Sequence, residues 1–138
     1  MPHLIIEYSA NIDEELMLDA LMLRLRDSAV ATGVFPLPGI RVRAARRDRF
    51  VVADGDPENA FVHLMVRIGH GRTPEVRRQV ADRLFAVLCD HLREAATRRG
   101  LGLSLEIQEI DPVGSLKRNN LHERLAGRAA GHVSVKVE

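Results

Sequence analysis

Proline at position 2, behind Met1, is the residue of this chain with the most unusual chemistry to offer. Removal of an initiator methionine would turn its nitrogen into a secondary amine with a free lone pair. An α-amino group titrates near pH ~8 before its surroundings act on it, so that amine is a general base close to neutrality. With Met1 attached, the same nitrogen is a tertiary amide and cannot be a base. A small residue in the second position normally permits methionine removal, which we therefore expect. Proline is also tolerated as the first residue of a strand because its missing N–H is not needed there. Arg41 and Arg43 are the second feature. Two apart on a strand, they project from one face. Guanidinium groups bind carboxylates in a bidentate manner and stay charged, so the pair is either a receptor for an organic di-acid or a solvated strand face.

The stretch Ile68-Gly69-His70-Gly71-Arg72-Thr73-Pro74 is a glycine-rich turn that runs into a helix start. Free backbone N–H groups there favour an anion, and Arg72 adds a full charge; a turn before a capped helix also needs glycines for its own sake. The turn lacks a P-loop lysine and the glycine spacing of a dinucleotide fingerprint. His3, His63, His70, His91, His122 and His132 are scattered, with no pair at metal-ligand spacing, so no metal site is expected. No Gly-x-Ser-x-Gly elbow marks a hydrolase. His63 reads as a polar group within a strand, in the core or at an interface.

Elements that would position these groups follow from periodicity. A strand over Pro2 to Tyr8, a helix from about Asp13 to Ala31 and a strand from Gly39 to Ala45 form one unit. Leu18, Leu21, Leu25 and Ala29 make the helix's apolar stripe. The second half repeats the plan: a strand over Ala60 to Ile68, a helix from about Pro74 to Arg99, and a strand over Leu101 to Ile110. Thr73 caps that second helix, Pro74 suits its first position, and Gly100 ends it. Two β-α-β units predict one four-stranded sheet with both helices on one face, an α+β domain. The first and third strands carry apolar side chains on both faces, so the uncovered sheet face predicts self-association. Residues 126–138 form a tail, either a frayed end or a short added strand at His132 to Val137.

At 138 residues, with 46% hydrophobic content, the chain is long enough for one ordinary domain with its own core. A net charge of +1 and only 4% aromatic residues supply neither the basic field nor the stacking platforms of a nucleic-acid binder. No apolar run approaches the ~20 residues that span a bilayer, no leader pattern precedes the first strand, and the lone Cys89 reads as core filling. The expected setting is reducing and cytoplasmic, without membrane or nucleic-acid partners.

Taken together, Pro2-His3 opening a strand that closes with Glu7, the turn Ala31-Thr32-Gly33-Val34-Phe35-Pro36-Leu37-Pro38-Gly39-Ile40-Arg41-Val42-Arg43, then Ala53-Asp54-Gly55, Ala60-Phe61-Val62-His63, Ile68-Gly69-His70-Gly71-Arg72 and Asn119-Asn120-Leu121-His122 resemble the 5-carboxymethyl-2-hydroxymuconate isomerases of the tautomerase superfamily. The likeness runs in order from residue 1 to about residue 123, so the isomerase domain is expected over 1–125. It implies a trimer of β-α-β-β-α-β subunits with active sites near subunit boundaries, no metal and no organic cofactor. It further implies Pro2 as base, Arg41 and Arg72 as the arginines that hold an unsaturated di- or tri-carboxylate, Phe35 as an apolar wall, and a place in homoprotocatechuate (4-hydroxyphenylacetate) breakdown. A tautomerase of another 2-hydroxy or 2-oxo acid is the alternative within enzymes. A non-catalytic oligomeric binding protein is the alternative outside them, although the Cys-x-x-Cys of cytokine-like members is absent here.

Overall fold

A computed structural model describes the backbone of residues 1–137 and the side chains through residue 129. Four strands form one sheet in the order β2-β1-β3-β4: β1 (His3–Ser9), β2 (Arg41–Arg47), β3 (Ala60–Gly69) and β4 (Leu101–Ile110). β1 runs parallel to β2, β3 runs parallel to β4, and the two units join through the antiparallel β1–β3 pair. The doubled β-α-β plan legible in the periodicity is therefore the fold.

Alternation along the strands decides which face is buried. Leu4, Ile6 and Tyr8 of β1, with Val62, Leu64, Val66 and Ile68 of β3, point to the helical layer and are buried. They meet Leu21, Leu25 and Ala29 from the first helical segment and Val80, Leu84, Leu88 and Leu92 from the second. Full burial of each such Leu or Ile contributes about 1.5–3 kcal/mol, so the two stripes fix the sheet-to-helix register.

Both helices expected as continuous are broken once. The first divides into α1 (Asp13–Leu16) and α2 (Leu18–Ala31) at Met17, which adopts a left-handed backbone at φ 46°, ψ 58°. The break leaves the Leu16 carbonyl without a helical partner, and His91 Nε2 donates to it at 2.7 Å while Arg24 donates to His91 Nδ1 at 3.1 Å. The second divides into α3 (Pro74–His91) and α4 (Arg93–Arg98) at Leu92. Thr73 caps α3, its hydroxyl accepting from the Val76 N–H at 3.2 Å. Cys89 is half-buried on the flank of α3 rather than within the core cluster.

The sheet's other face corrects the expectation of a second apolar surface. His3, Ile5 and Glu7 of β1 lie beside Phe61, His63, Met65 and Arg67 of β3 and Ser104, Glu106 and Gln108 of β4. That face is mixed, because the apolar residues of β1 and β3 are mostly at even positions and only Ile5, Phe61 and Met65 remain on the open side. It is cross-linked by Arg47 to Glu7 at 2.7 Å and by His63 to Glu106 at 3.2 Å. Beyond β4 the backbone ends in a helix, α5 (Leu121–Val137), which runs through residues 125 and 126 and packs against the 3-10 turn Leu37–Gly39. Residues 132–137 are thus helical in backbone, not a strand.

Candidate active site

The N-terminus enters β1 beside β2, and the backbone fixes Pro2 before any side chain acts. Its carbonyl accepts from the Arg41 N–H at 3.0 Å, extending the parallel ladder by one bond, and its ring is buried. The turn before β2 packs on the proline at Gly39, where a Cβ would stand in ordinary contact 3.5 Å from Pro2 Cδ. Met1 is attached, and its α-amine marks the mouth of the site.

Two cavities flank that amine. One of about 410 Å³ is lined by Met1, Pro36, Gly39, Arg72, Lys117, Asn119 and His122. The other, about 340 Å³, is bounded by Met1, His3, Gly69, His70, Ile110 and Lys117 among others. Both are large enough to hold a small organic acid.

Arg72 reaches this site because the turn before α3 turns it away from its own helix. Gly71 takes φ 109°, a conformation that a side chain disfavours. The Arg72 guanidinium then lies 5.0 Å above the Phe35 ring and donates to the Gly69 carbonyl at 3.1 Å. Phe35 is buried, 2% exposed, and is a platform beneath Arg72 rather than a lining residue of either cavity. The anion site read into the helix start is filled from within: Glu109 of β4 accepts from the Gly71 N–H at 3.3 Å, lies 3.5 Å from His70 Nδ1 and pairs with Arg77 at 3.2 Å. Glu109 therefore engages Arg77 and leaves Arg72 to the cavity.

Arg41 and Arg43 divide their work. Arg41 donates to the carbonyls of Pro38 at 3.1 Å and Ile40 at 3.4 Å, and so backs the rim of the site. Arg43 donates to His3 Nδ1 at 3.0 Å, which makes that nitrogen the acceptor and places the ring hydrogen on Nε2. Burial, followed by the charges of Arg43 and Arg67, holds the His3 imidazole below its ordinary pKa.

The electrostatics of the amine carry the site's chemistry. Its pKa lies below the ordinary α-amino value, first because burial disfavours the ammonium and then because Lys117, Arg72 and Arg41 repel it. Among the described residues none of these three cations has a carboxylate partner; the thirteen ion pairs there involve other arginines and histidines. A partly buried base beside three uncommitted cations is suited to bind a polyanionic acid and move a proton on it.

Lys117, Asn119 and His122 were not legible as site residues. They lie in a polar segment far along the chain, and only its return over the Leu37–Gly39 turn brings them to the amine. Asn119 makes that return specific: its Nδ2 donates to the Pro38 carbonyl at 3.0 Å and its Oδ1 accepts from the Leu121 N–H at 3.0 Å.

Strand register also creates a row that no linear motif announced. Facing Ser104 across β3–β4, His63 Nδ1 accepts from its hydroxyl at 2.6 Å, and Nε2 lies 3.2 Å from Glu106. The row lies on the open sheet face with Ser104 and Glu106 exposed, so its contribution is to tie β3 to β4. Among the described residues no group of three His, Cys, Asp or Glu side chains is placed to hold a metal, and no helix is long and apolar enough to cross a membrane.

Comparison with known proteins places the chain in a family. The family profile of 5-carboxymethyl-2-hydroxymuconate isomerase matches residues 2–125. A 5-carboxymethyl-2-hydroxymuconate Delta-isomerase of Escherichia coli is 42% identical over 122 residues, covering 88% of this chain and 97% of its own. The crystal structure of a 5-carboxymethyl-2-hydroxymuconate isomerase from Deinococcus radiodurans R1 superposes with a TM-score of 0.85 at 43% identity, over 90% of this chain and 93% of the other. A further crystal structure, of a 5-carboxymethyl-2-hydroxymuconate delta-isomerase, gives 0.84 at 29% identity, over 91% and 93%.

Proposed function

The chain belongs to the 5-carboxymethyl-2-hydroxymuconate isomerase family, and on that premise we propose that it converts 5-carboxymethyl-2-hydroxymuconate to the conjugated 2-oxo isomer, with the amine of Pro2 as the base. The observation that carries this reading is the terminal amine held below its usual pKa among Lys117, Arg72 and Arg41. Loss of Met1 moves the amine one residue inward, to the buried Pro2.

The step is a balanced tautomerisation. The amine takes the proton of the 2-hydroxyl, the oxygen's electrons form the C2 carbonyl, and the double bond moves from C2–C3 to C3–C4. The C4–C5 π electrons take up a proton at C5, and the ammonium formed in the first half supplies it. Arg41 and Arg72 hold carboxylates and stabilise the dienolate while charge builds on oxygen. Phe35 fixes the Arg72 guanidinium from below, which limits its freedom before substrate arrives. The open sheet face, with Ile5, Phe61 and Met65 among charged residues, would be covered by two further copies in a homotrimer, observable as a particle of three times the 15.4 kDa chain. The metabolic setting is homoprotocatechuate breakdown.

The test follows the ultraviolet absorbance of 5-carboxymethyl-2-hydroxymuconate with protein whose mature N-terminus is shown by intact mass to be Pro2. Rapid saturable conversion is expected, and protein retaining Met1 should lose it by ~10²–10⁴-fold, the usual contribution of a positioned base. Full activity with Met1 retained would overturn Pro2 as base. No conversion by the Pro2 form would overturn the substrate.

A further inference from the structure

The two cavities beside the N-terminus are lined in common by Met1 and by one cation, Lys117. Lys117 lies on the segment that links β4 to α5, exposed, and without a carboxylate partner among the described residues. Two residues on, Asn119 pins that segment to the Pro38 carbonyl. The same carbonyl also accepts from Arg41, as its two lone pairs allow. One acceptor thus sets the lysine's segment and Arg41 in fixed relation across the mouth of the site.

Resting on the isomerase reading above, we propose that Lys117 binds the carboxylate of the substrate's carboxymethyl branch and is the residue that selects the branched tri-acid over an unbranched di-acid. The substrate's name gives three carboxylates, and the site offers three cations that have no carboxylate partner among the described residues. Two of the carboxylates are conjugated with the diene and therefore planar and fixed. A guanidinium fork matches such a group, and Arg41 and Arg72 are both tethered by backbone carbonyls. The third hangs on a saturated methylene and can rotate, which suits the point charge and flexible stem of a lysine. The branch is attached at C5, the carbon that receives the proton, so its carboxylate must lie close to the amine. Of the three cations, Lys117 weighs most on the Met1 amine that adjoins Pro2.

The experiment compares 5-carboxymethyl-2-hydroxymuconate with 2-hydroxymuconate in the mature enzyme and in Lys117→Met and Lys117→Arg. Lys117→Met keeps the length of the stem and removes the charge. Measured on the high-pH plateau, where the base is free in wild type and variant alike, it should lower kcat/KM for the tri-acid by about tenfold, through KM, the scale of one hydrogen bond to a charged group, and change the di-acid less than twofold. Lys117→Arg should restore most of the loss. An equal fall on both acids would make Lys117 a source of general field and overturn the proposal, as would no change on either. Calorimetric binding of propane-1,2,3-tricarboxylate against glutarate reads the same preference without turnover. A wild-type protein that converts neither muconate but prefers the tricarboxylate, with the preference lost in Lys117→Met, would fail the isomerase reading and keep the lysine's role. No such loss would remove the lysine's role whatever the substrate.

Discussion

Replacement of Arg72 by methionine tests the site most directly, because the structure shows what its side chain does in the free protein. The guanidinium has two partners, the Gly69 carbonyl at 3.1 Å and the Phe35 ring at 5.0 Å. The first is a hydrogen bond at the end of a strand, where water can replace the lost donor. The second is a cation–π contact at a partly exposed position, about 0.5–1 kcal/mol. Together their loss should cost the fold no more than about 1–2 kcal/mol, well inside the ~5–15 kcal/mol of an ordinary domain. In the transition state the same group would lose a charge-assisted bond to a carboxylate, about 1.5–3 kcal/mol. At 1.36 kcal/mol per tenfold, kcat/KM should fall by about 10- to 150-fold while far-ultraviolet circular dichroism stays native. Arg72→Lys, which keeps charge but loses the fork and the stacked plane, should fall between the two. Stopped-flow absorbance on 5-carboxymethyl-2-hydroxymuconate supplies the rates. A well-folded Arg72→Met enzyme with kcat/KM within about threefold of wild type would refute the argument that the uncommitted guanidinium binds substrate.

The pH profile of kcat/KM should rise through the amine's pKa and then level off, since the free base is the active form. Burial and the three cations lower the pKa of the Met1 amine; the Pro2 amine, adjoining it and buried, should be lowered in the same direction, so the rising limb should lie below pH ~8. Removing a cation raises the pKa, so Lys117→Met should move the limb to higher pH; a shift to lower pH would contradict the assigned field. At Met17, 63% exposed and left-handed at φ 46°, glycine removes a backbone cost of about 1–2 kcal/mol, part of which its greater unfolded-state freedom takes back. Met17→Gly should therefore raise Tm by roughly 2–4 °C, and a lower Tm in thermal denaturation would show that the side chain matters there.

Local chemistry made much of this protein legible from its residues in order. The spacing of Leu21, Leu25, Val80, Leu84 and Leu88 reports a face, since 3.6-residue periodicity is a property of the chain itself, and Thr73-Pro74 marks a helix start for reasons confined to one turn. Pro2 stands out because no other residue gives a secondary amine. The breaks at Met17 and Leu92 were not legible, because neither is a glycine or a proline. Their conformations are held by contacts from elsewhere, such as His91 taking up the Leu16 carbonyl.

The site divides in the same way. Arg72 and the Arg41–Arg43 pair could be named from the chain, but not what leaves Arg72 to the cavity. That depends on Glu109 from β4 satisfying the turn before α3 and pairing with Arg77, a contact between residues far apart in sequence. Lys117 had no local mark at all, being one cation in a polar stretch. A charge acts through space rather than along the chain, and only the fold of the β4–α5 link over Pro38 brings this one to the amine. The sequence by itself determined the one residue able to supply a secondary amine and the faces that bury the core. The tertiary structure decided which cations surround the N-terminus, because their distances to it are set by strand register and loop closure.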